Sequence, residues 1–188
     1  QDNAAGRQAR GTDSLTPEQL SMWPRTFKPL IAAVNGYALA GGWSIAQMCD
    51  LRLAAEDARL GISETRWSLL PPFGVQLNRL IPQAAVLELV MTAEPVSAQR
   101  AYEMGFLNRV VPRERLLEEA LALARKITEN APLAVRAFKE LVLRTRDVPE
   151  AAAAALTVQV YDRLLLTEDS KEGPRAFAEK RKPQWRLR

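Results

Sequence analysis

The segment that most constrains how this chain can fold is KPLIAAVNGYALAGGWSIAQMCDLRLAA, residues 28–55. Leu30 to Val34 is a short continuous apolar run closed by Asn35-Gly36, which predicts a strand buried on both faces and ended by a tight turn. A glycine pair and a short helix from Gly42 to about Met48 follow, and a second apolar strand begins at Leu51. The order strand, glycine turn, helix, strand predicts an α/β unit with its functional edge at the carboxyl end of the first strand.

The second half of the chain is predicted to be helical. An amphipathic helix over Glu114 to Glu129 is followed by two more, which open at Pro132 and Pro149. Three such helices after an α/β region suggest a helical layer that docks on another subunit. Between the halves, residues 59–80 predict a short strand and then a loop anchored by Pro71, Pro72 and Gly74. Near the start, an N-cap at Thr16 predicts a short helix that ends before Pro24.

Composition excludes several kinds of chemistry. Of the 188 residues 47% are hydrophobic and none is histidine, so the commonest general base and the commonest metal ligand are both absent. The single cysteine, Cys49, has apolar neighbours that predict a buried thiol rather than a redox or metal site. No apolar run reaches the roughly 18 residues of a membrane helix. We therefore expect a soluble, cytoplasmic protein that works with carboxylates, hydroxyls or backbone dipoles.

The glycine pair Gly41-Gly42 suggests an anion site. Glycines just before a helix leave unpaired N–H groups pointing outward, and the helix dipole adds partial positive charge there. Such a site could hold a phosphate or stabilise a charge that develops only during a reaction. The segment lacks the lysine of a P-loop and the third glycine of the dinucleotide fingerprint. The alternative is a glycine turn needed only for close packing of the helix.

Glu64, in GISETRW, is the best candidate for a general base. A carboxylate between a strand and an irregular loop can lose water and take up protons near neutral pH. The alternative is an exposed or ion-paired loop glutamate, with Arg66 as the obvious partner. Ser44 has no histidine to activate it, so a serine nucleophile of the usual kind is not expected.

Three stretches of this chain resemble the enoyl-CoA hydratase/isomerase, or crotonase, superfamily. They are KPLIAAVNGYALAGGWSIAQMCDLRLAAEDARLGISE, MTAEPVSAQRAYEMGFLNRVVPRERLLEEALALARKI and TEDSKEGPRAFAEKRKP, within residues 28–183. The resemblance implies an α/β fold of repeated ββα turns that form a spiral, whose N-terminal part precedes Gln1, and then a helical trimerisation region. We assign residues 1–130 to the partial spiral core with the acyl-CoA site and residues 131–188 to helical oligomerisation, as homotrimers or hexamers.

The resemblance also implies catalytic roles. Members of the superfamily bind an acyl-CoA thioester and stabilise its enolate with two backbone N–H groups. By motif position one donor is Gly41, and the other is expected upstream of Gln1. Hydratases of the family use two glutamates; Glu64 matches the second, but the first falls on Ser44. Isomerases of the family keep only the glutamate at the position of Glu64, so hydration and isomerisation both stay open.

Further residues are assigned to the substrate. Phe177 and Lys180 match residues that hold the CoA of a neighbouring subunit, and we also assign Gly42, Ser44 and Trp67 to substrate binding. Coenzyme A is part of the substrate, so neither a separate cofactor nor a metal is expected. Pro72 stands where the family's glycine-rich loop usually has glycine, and it has no N–H to donate.

Two other functions are weighed against the enzyme. The serine at position 44 and Pro72 favour a non-catalytic acyl-CoA-binding or assembly homologue. RNA binding is the third function, since the net charge is +4 and one predicted helix carries four basic residues: Arg136, Lys139, Arg144 and Arg146. These lack aromatic stacking partners, so a nucleic acid is not an expected partner. A membrane is not expected either, because no apolar run is long enough to span one.

Overall fold

The computed structural model describes residues 26–188, so the helix predicted between Thr16 and Pro24 lies outside the described residues. In chain order the elements are β1 (Ile31–Val34), β2 (Tyr37–Leu39), α1 (Gly41–Met48), β3 (Leu51–Ala55), β4 (Arg59–Gly61), α2 (Gln83–Thr92), β5 (Val96–Ser97), α3 (Ala98–Glu103), β6 (Arg109–Val111), α4 (Leu116–Thr128), α5 (Pro132–Arg144), α6 (Glu150–Leu165) and α7 (Glu168–Ala178). The described residues also form 3-10 helices at Glu64–Trp67, Pro72–Arg79 and Arg113–Arg115.

The strands form two sheets, and the chain alternates between them. In the first sheet β3 pairs in parallel with both β1 and β6, and in the second β4 pairs in parallel with β2 and antiparallel with β5. The chain therefore places β1 in the first sheet and β2 in the second. Helix α1 then leads back to the first sheet, where β3 lies beside β1, and β4 follows beside β2 in the second sheet. This is the ββα spiral that the resemblance implies.

The structure corrects three predictions made from the sequence. The Asn35-Gly36 turn leads into β2, which lies between the turn and α1. Strand β1 is half-buried with Ala33 exposed, because β1 is the edge strand of its sheet within the described residues. The loop predicted around Pro72 is instead a 3-10 helix that Pro72 opens, where a proline fits because the first residue needs no N–H partner.

A buried arginine fixes the carboxyl end of α1. Trp43 and Phe106 are fully buried and their rings stack with centroids 4.1 Å apart. The Arg52 guanidinium lies 4.9 Å from the Phe106 ring centroid, donates from Nε to the Phe106 carbonyl at 2.6 Å, and donates from Nη1 to the Cys49 carbonyl at 2.5 Å. Burial lowers the pKa of Arg52. Because this cation satisfies carbonyl oxygens at the end of α1, the helix is held firmly against β3.

The helical half begins and ends close to the predicted positions. Helix α4 packs on β1 and β3, α5 packs on α6, and α6 packs on α7. Just beyond α4, the Asn130 side chain donates from Nδ2 to the Lys126 carbonyl at 3.1 Å, at the end of this helix. The predicted domain boundary near residue 130 stays a prediction. Across residues 26–188 we find no helix of the length and apolarity that crossing a membrane requires.

A cavity of about 490 Å³ lies between α5 and the end of α1, and it explains two differences from the sequence analysis. Phe138, on the helix predicted to open at Pro132 with an apolar face, lines it and is 70% exposed. Cys49, predicted to be buried, also lines the cavity and is only half-buried, although burial still raises the pKa of its thiol.

The basic residues considered for RNA binding lie in different places. Lys139 points inward and pairs with Asp50 at 2.7 Å, and Arg146 lies beyond the end of α5. The four basic residues therefore do not form one helical stripe.

Candidate functional site

The turn between β2 and α1 holds Ala40 in a conformation that glycine adopts readily and alanine rarely. Its φ is 51° and its ψ is −115°, values that belong to a turn position where glycine predominates. The Ala40 N–H donates to the Gly61 carbonyl at 3.0 Å, and the Ala40 carbonyl accepts from the Ser44 N–H at 3.0 Å. These two bonds fix the beginning of α1 against the end of β4. Nothing in the local sequence signals this strain, because the bond to Gly61 imposes it.

The first N–H groups of α1 are open to a ligand. Gly41 and Gly42 are exposed, and no described residue accepts a hydrogen bond from either N–H. Among the described residues, a Cβ added to Gly41 would meet no atom within 4 Å, and a Cβ added to Gly42 would meet its nearest atoms at 3.9 Å. Packing against the described residues therefore does not require glycine at either position, which contradicts the packing alternative for this part of the chain. The geometry fits an approaching anion or polarised oxygen instead.

Glu64 lies at the same edge as the glycine turn. Strands β2 and β4 are parallel neighbours with Leu39 opposite Gly61, so Gly41 and Glu64 both follow the carboxyl ends of adjacent strands. The Oε2 atom of Glu64 is buried and has no hydrogen-bond partner among the described residues. Arg66, the partner considered in the sequence analysis, instead pairs with Glu94 at 2.5 Å, so the ion-pair alternative is wrong. A buried carboxylate oxygen without a donor is costly, and most buried polar atoms in folded proteins have a hydrogen-bond partner.

The remaining residues assigned to the substrate lie in different surroundings. Ser44 is buried in the first turn of α1, so this position brings a hydroxyl and not a carboxylate. Trp67 ends the 3-10 helix that Glu64 begins, and its side chain is 70% exposed. The structure thus brings Gly41, Ser44 and Glu64 to one edge of the second sheet.

Phe177 and Lys180 lie apart from this edge, in the helical layer. Phe177 is 87% exposed in the last turn of α7. Lys180 follows the helix with a positive φ of 52°, and its ammonium has no partner among the described residues. Helix α7 packs on α6, so this pair is presented outward from the helical region. The structure also shows Glu172, which the sequence analysis missed; a lone glutamate inside a helix gives no signal of burial.

Comparison with known families identifies the chain. Residues 2–188 match the family model described as Enoyl-CoA hydratase/isomerase. The chain belongs to this family. It is 46% identical over 166 residues to Enoyl-CoA hydratase EchA19 of Mycobacterium tuberculosis, covering 87% of this chain and 62% of that protein. It is 40% identical over 167 residues to Carnitinyl-CoA dehydratase of Salmonella typhi, covering 86% of this chain and 64% of that protein. The chain thus spans less than two thirds of the length of these curated relatives.

Solved structures of the family share the fold. The enoyl-CoA hydratase of Bacillus anthracis superposes with a TM-score of 0.85 at 39% identity, covering 89% of this chain and 66% of that one. An enoyl-CoA hydratase of Mycobacterium tuberculosis H37Rv superposes with a TM-score of 0.86 at 37% identity, covering 97% of this chain and 74% of that one. The ββα spiral described above is therefore the crotonase fold.

Proposed function

We propose that this protein is an acyl-CoA enzyme that stabilises a thioester enolate, with the Gly41 N–H as one of the donors. The observation that carries the proposal is the buried, unpartnered Oε2 of Glu64 at the same sheet edge as the open N–H groups of α1. An N–H already aimed at a developing oxyanion contributes about 3 to 4 kcal/mol to the transition state. The α1 dipole adds to this, because its positive end faces the same space.

Glu64 is the proton-transfer group in this proposal. With a 3-enoyl-CoA it takes a proton from C2, the electrons move onto the thioester oxygen, and the same carboxyl returns the proton to C4 to give the 2-enoyl-CoA. One carboxylate suffices for this isomerisation, and Ser44 supplies no second carboxylate. Hydration of a 2-enoyl-CoA is the second candidate activity, and the hydratase and dehydratase names of the relatives support it.

The test uses the protein with a 3-enoyl-CoA and a trans-2-enoyl-CoA of matched chain length, following both isomerisation and hydration. Glu64→Gln is expected to lower turnover by about 10²- to 10⁴-fold, the usual contribution of a general base. Glu88→Gln is the matched control, because Glu88 lies on the exposed side of α2 in an ion pair with Arg100. Unchanged turnover of both substrates by Glu64→Gln would show that the mechanism is wrong.

Phe177 and Lys180 are proposed to hold the nucleotide part of coenzyme A in a neighbouring subunit of a homotrimer or hexamer. An exposed aromatic ring can stack on a base, and an unpaired ammonium can bind a phosphate. Gly42, Ser44 and Trp67 are proposed to contact the acyl group or the thioester. No cofactor beyond the substrate's own CoA is proposed, and the cytoplasmic location stays a prediction.

A non-catalytic acyl-CoA-binding homologue is the second candidate function. The hydroxyl of Ser44 at the position of a family glutamate favours it. Binding of an acyl-CoA in a calorimeter, with no turnover of either substrate, would establish this function in place of the enzyme. RNA binding is not proposed, since the most central of the basic residues, Lys139, is occupied by Asp50.

A further inference from the structure

The turn that ends α7 carries a lysine where helices usually place glycine. The Lys180 N–H donates to the Phe177 carbonyl at 3.2 Å, and the Arg181 N–H donates to the Ala176 carbonyl at 3.0 Å. With Lys180 at a φ of 52°, this is the left-handed helix ending that glycine adopts without strain. A glycine would relax the backbone, but it would remove an ammonium that has no partner among the described residues. Lys180 therefore keeps its side chain although glycine at this position would make the turn more stable.

A buried carboxylate holds this turn closed. Glu172, on α7, is only 8% exposed. It accepts two bonds from the Arg181 guanidinium, Nη1 to Oε1 at 2.5 Å and Nη2 to Oε2 at 3.0 Å. Arg181 also donates from Nε to Glu179 at 2.5 Å. The residues on both sides of Lys180 are thus tied to one another and to the body of the helix, so the left-handed turn is fixed from both sides.

The chain beyond the turn is held along the same helix. Glu172 Oε1 accepts from the Gln184 N–H at 2.8 Å. Asp169, 3% exposed, accepts from the N–H groups of Arg186 at 2.7 Å and Leu187 at 3.1 Å. Buried carboxylates at two levels of α7 therefore align the returning segment, and Lys180 lies at the bend between helix and segment.

We propose that Glu172 and Arg181 are positioning residues that hold the Lys180 turn, so that the Lys180 ammonium and the Phe177 ring present one surface to a phosphate-bearing nucleotide. The inference rests on the proposed contact of these two residues with coenzyme A. Glu172 and Arg181 are already bonded to each other and need not touch the ligand. Their part is to keep the ammonium and the ring, one helical turn apart, in a fixed arrangement.

The experiment compares thioester substrates with and without the nucleotide of coenzyme A, so that an effect on nucleotide binding can be distinguished from an effect on the reaction. Each variant is assayed with an acyl-CoA and with the same acyl group on N-acetylcysteamine, which has no nucleotide, and CoA binding is measured by calorimetry. Glu172→Gln and, separately, Arg181→Gln are expected to raise the KM for the acyl-CoA and the Kd for CoA by about tenfold, the loss of a bond to a charged group. The kcat/KM for the truncated thioester should stay within about twofold of wild type.

Lys180→Gly is expected to raise the stability of the protein and to weaken its binding of CoA. The variant should melt at a higher temperature, because the left-handed turn no longer carries a Cβ, and it should bind CoA about tenfold more weakly. Wild-type affinity for CoA in this variant would overturn the proposal. An equal loss of turnover on both thioesters in Arg181→Gln would also overturn it, since that pattern indicates a structural role only. If wild type turns over neither thioester while CoA binding still depends on Glu172, the proposed catalysis fails and the positioning role stands.

Discussion

At the scale of single residues, the candidate site is where this chain departs most clearly from what local stability favours. Ala40 adopts a glycine-like conformation, Gly41 and Gly42 begin a helix in which alanine would be more stable, and Glu64 keeps a buried oxygen without a donor. Residues that break local rules are expected to cluster where a ligand or reaction makes up the loss. Ala40, Gly41, Gly42 and Glu64 all lie after the carboxyl ends of the neighbouring strands β2 and β4, and we therefore place the reaction there.

Gly41→Ala should separate stability from function. The new Cβ would meet no atom of the described residues within 4 Å, and alanine is favoured over glycine in helices by about 1 kcal/mol. The melting temperature should therefore stay the same or rise. The Cβ would occupy the space proposed for the thioester, and a displacement of about 1 Å there costs about 10²-fold in rate. Melting curves and kcat/KM on an enoyl-CoA test both halves.

Gly36→Ala is the matched control for this substitution. A Cβ added to Gly36 would also meet nothing within 4 Å among the described residues, and Gly36 lies in the turn between β1 and β2, so this variant should fold equally well and keep wild-type turnover. If Gly41→Ala kept full turnover, the space in front of Gly41 would not be where the thioester binds.

At the scale of elements, the sequence predicted the helices that are long and have a periodic apolar pattern. Helices α4, α5 and α6 were predicted because each has an apolar stripe and the last two follow a proline. Strands β2, β5 and β6 have only two or three residues, too few for an alternating pattern to show. Helix α7 contains Pro174, which obscures its helical pattern, and only the resemblance indicated it. Gly41 and Glu64 were found from their motifs, whereas the strain at Ala40 and the burial of Glu172 depend on contacts with distant residues.

The pairing of α7 with the returning segment should make stability depend on pH through Glu172. Hydrogen bonds from Arg181 and from the Gln184 N–H hold the pKa of Glu172 well below its ordinary value of 4.5. A group whose pKa is depressed on folding stabilises the protein fully above its unfolded pKa, and this stabilisation is lost as the pH falls toward the folded pKa. The melting temperature of wild type should therefore exceed that of Glu172→Gln at pH 7, and the difference should shrink steadily below pH 4.5.

A double-substitution cycle provides the control for this pH dependence. In an Arg181→Met background the main donor to Glu172 is gone, so Glu172→Gln should have a smaller effect and a weaker dependence on pH. Melting temperatures of the four proteins between pH 7 and about pH 3 measure this. A wild-type advantage that does not change across that range would show that the ionised form of Glu172 has no special stability in the folded protein.

At the scale of the whole molecule, α6 carries an apolar stripe that nothing in the described chain covers. Val158, Tyr161 and Leu165 are 58%, 57% and 49% exposed, and their spacing of three and four residues places them on one face. Val160, on another side of the helix, is 5% exposed and faces the protein. Large exposed apolar faces of this kind mark sites of association. The stripe therefore supports the proposal that α6 contacts another copy of the chain.

Val158→Asp should dissociate the proposed trimer. It replaces an apolar contact with a carboxylate that loses water on association, and an unpaired buried charge costs several kcal/mol. Sedimentation velocity should show trimers for wild type and for Gln159→Asp, an exposed position next to the stripe, and monomers for Val158→Asp. Because Phe177 and Lys180 are proposed to serve a neighbouring subunit, the monomer should also have a raised KM for the acyl-CoA. A wild-type protein that sediments as a monomer would contradict the proposed oligomer, and a Val158→Asp variant that keeps the wild-type size would place the contact elsewhere.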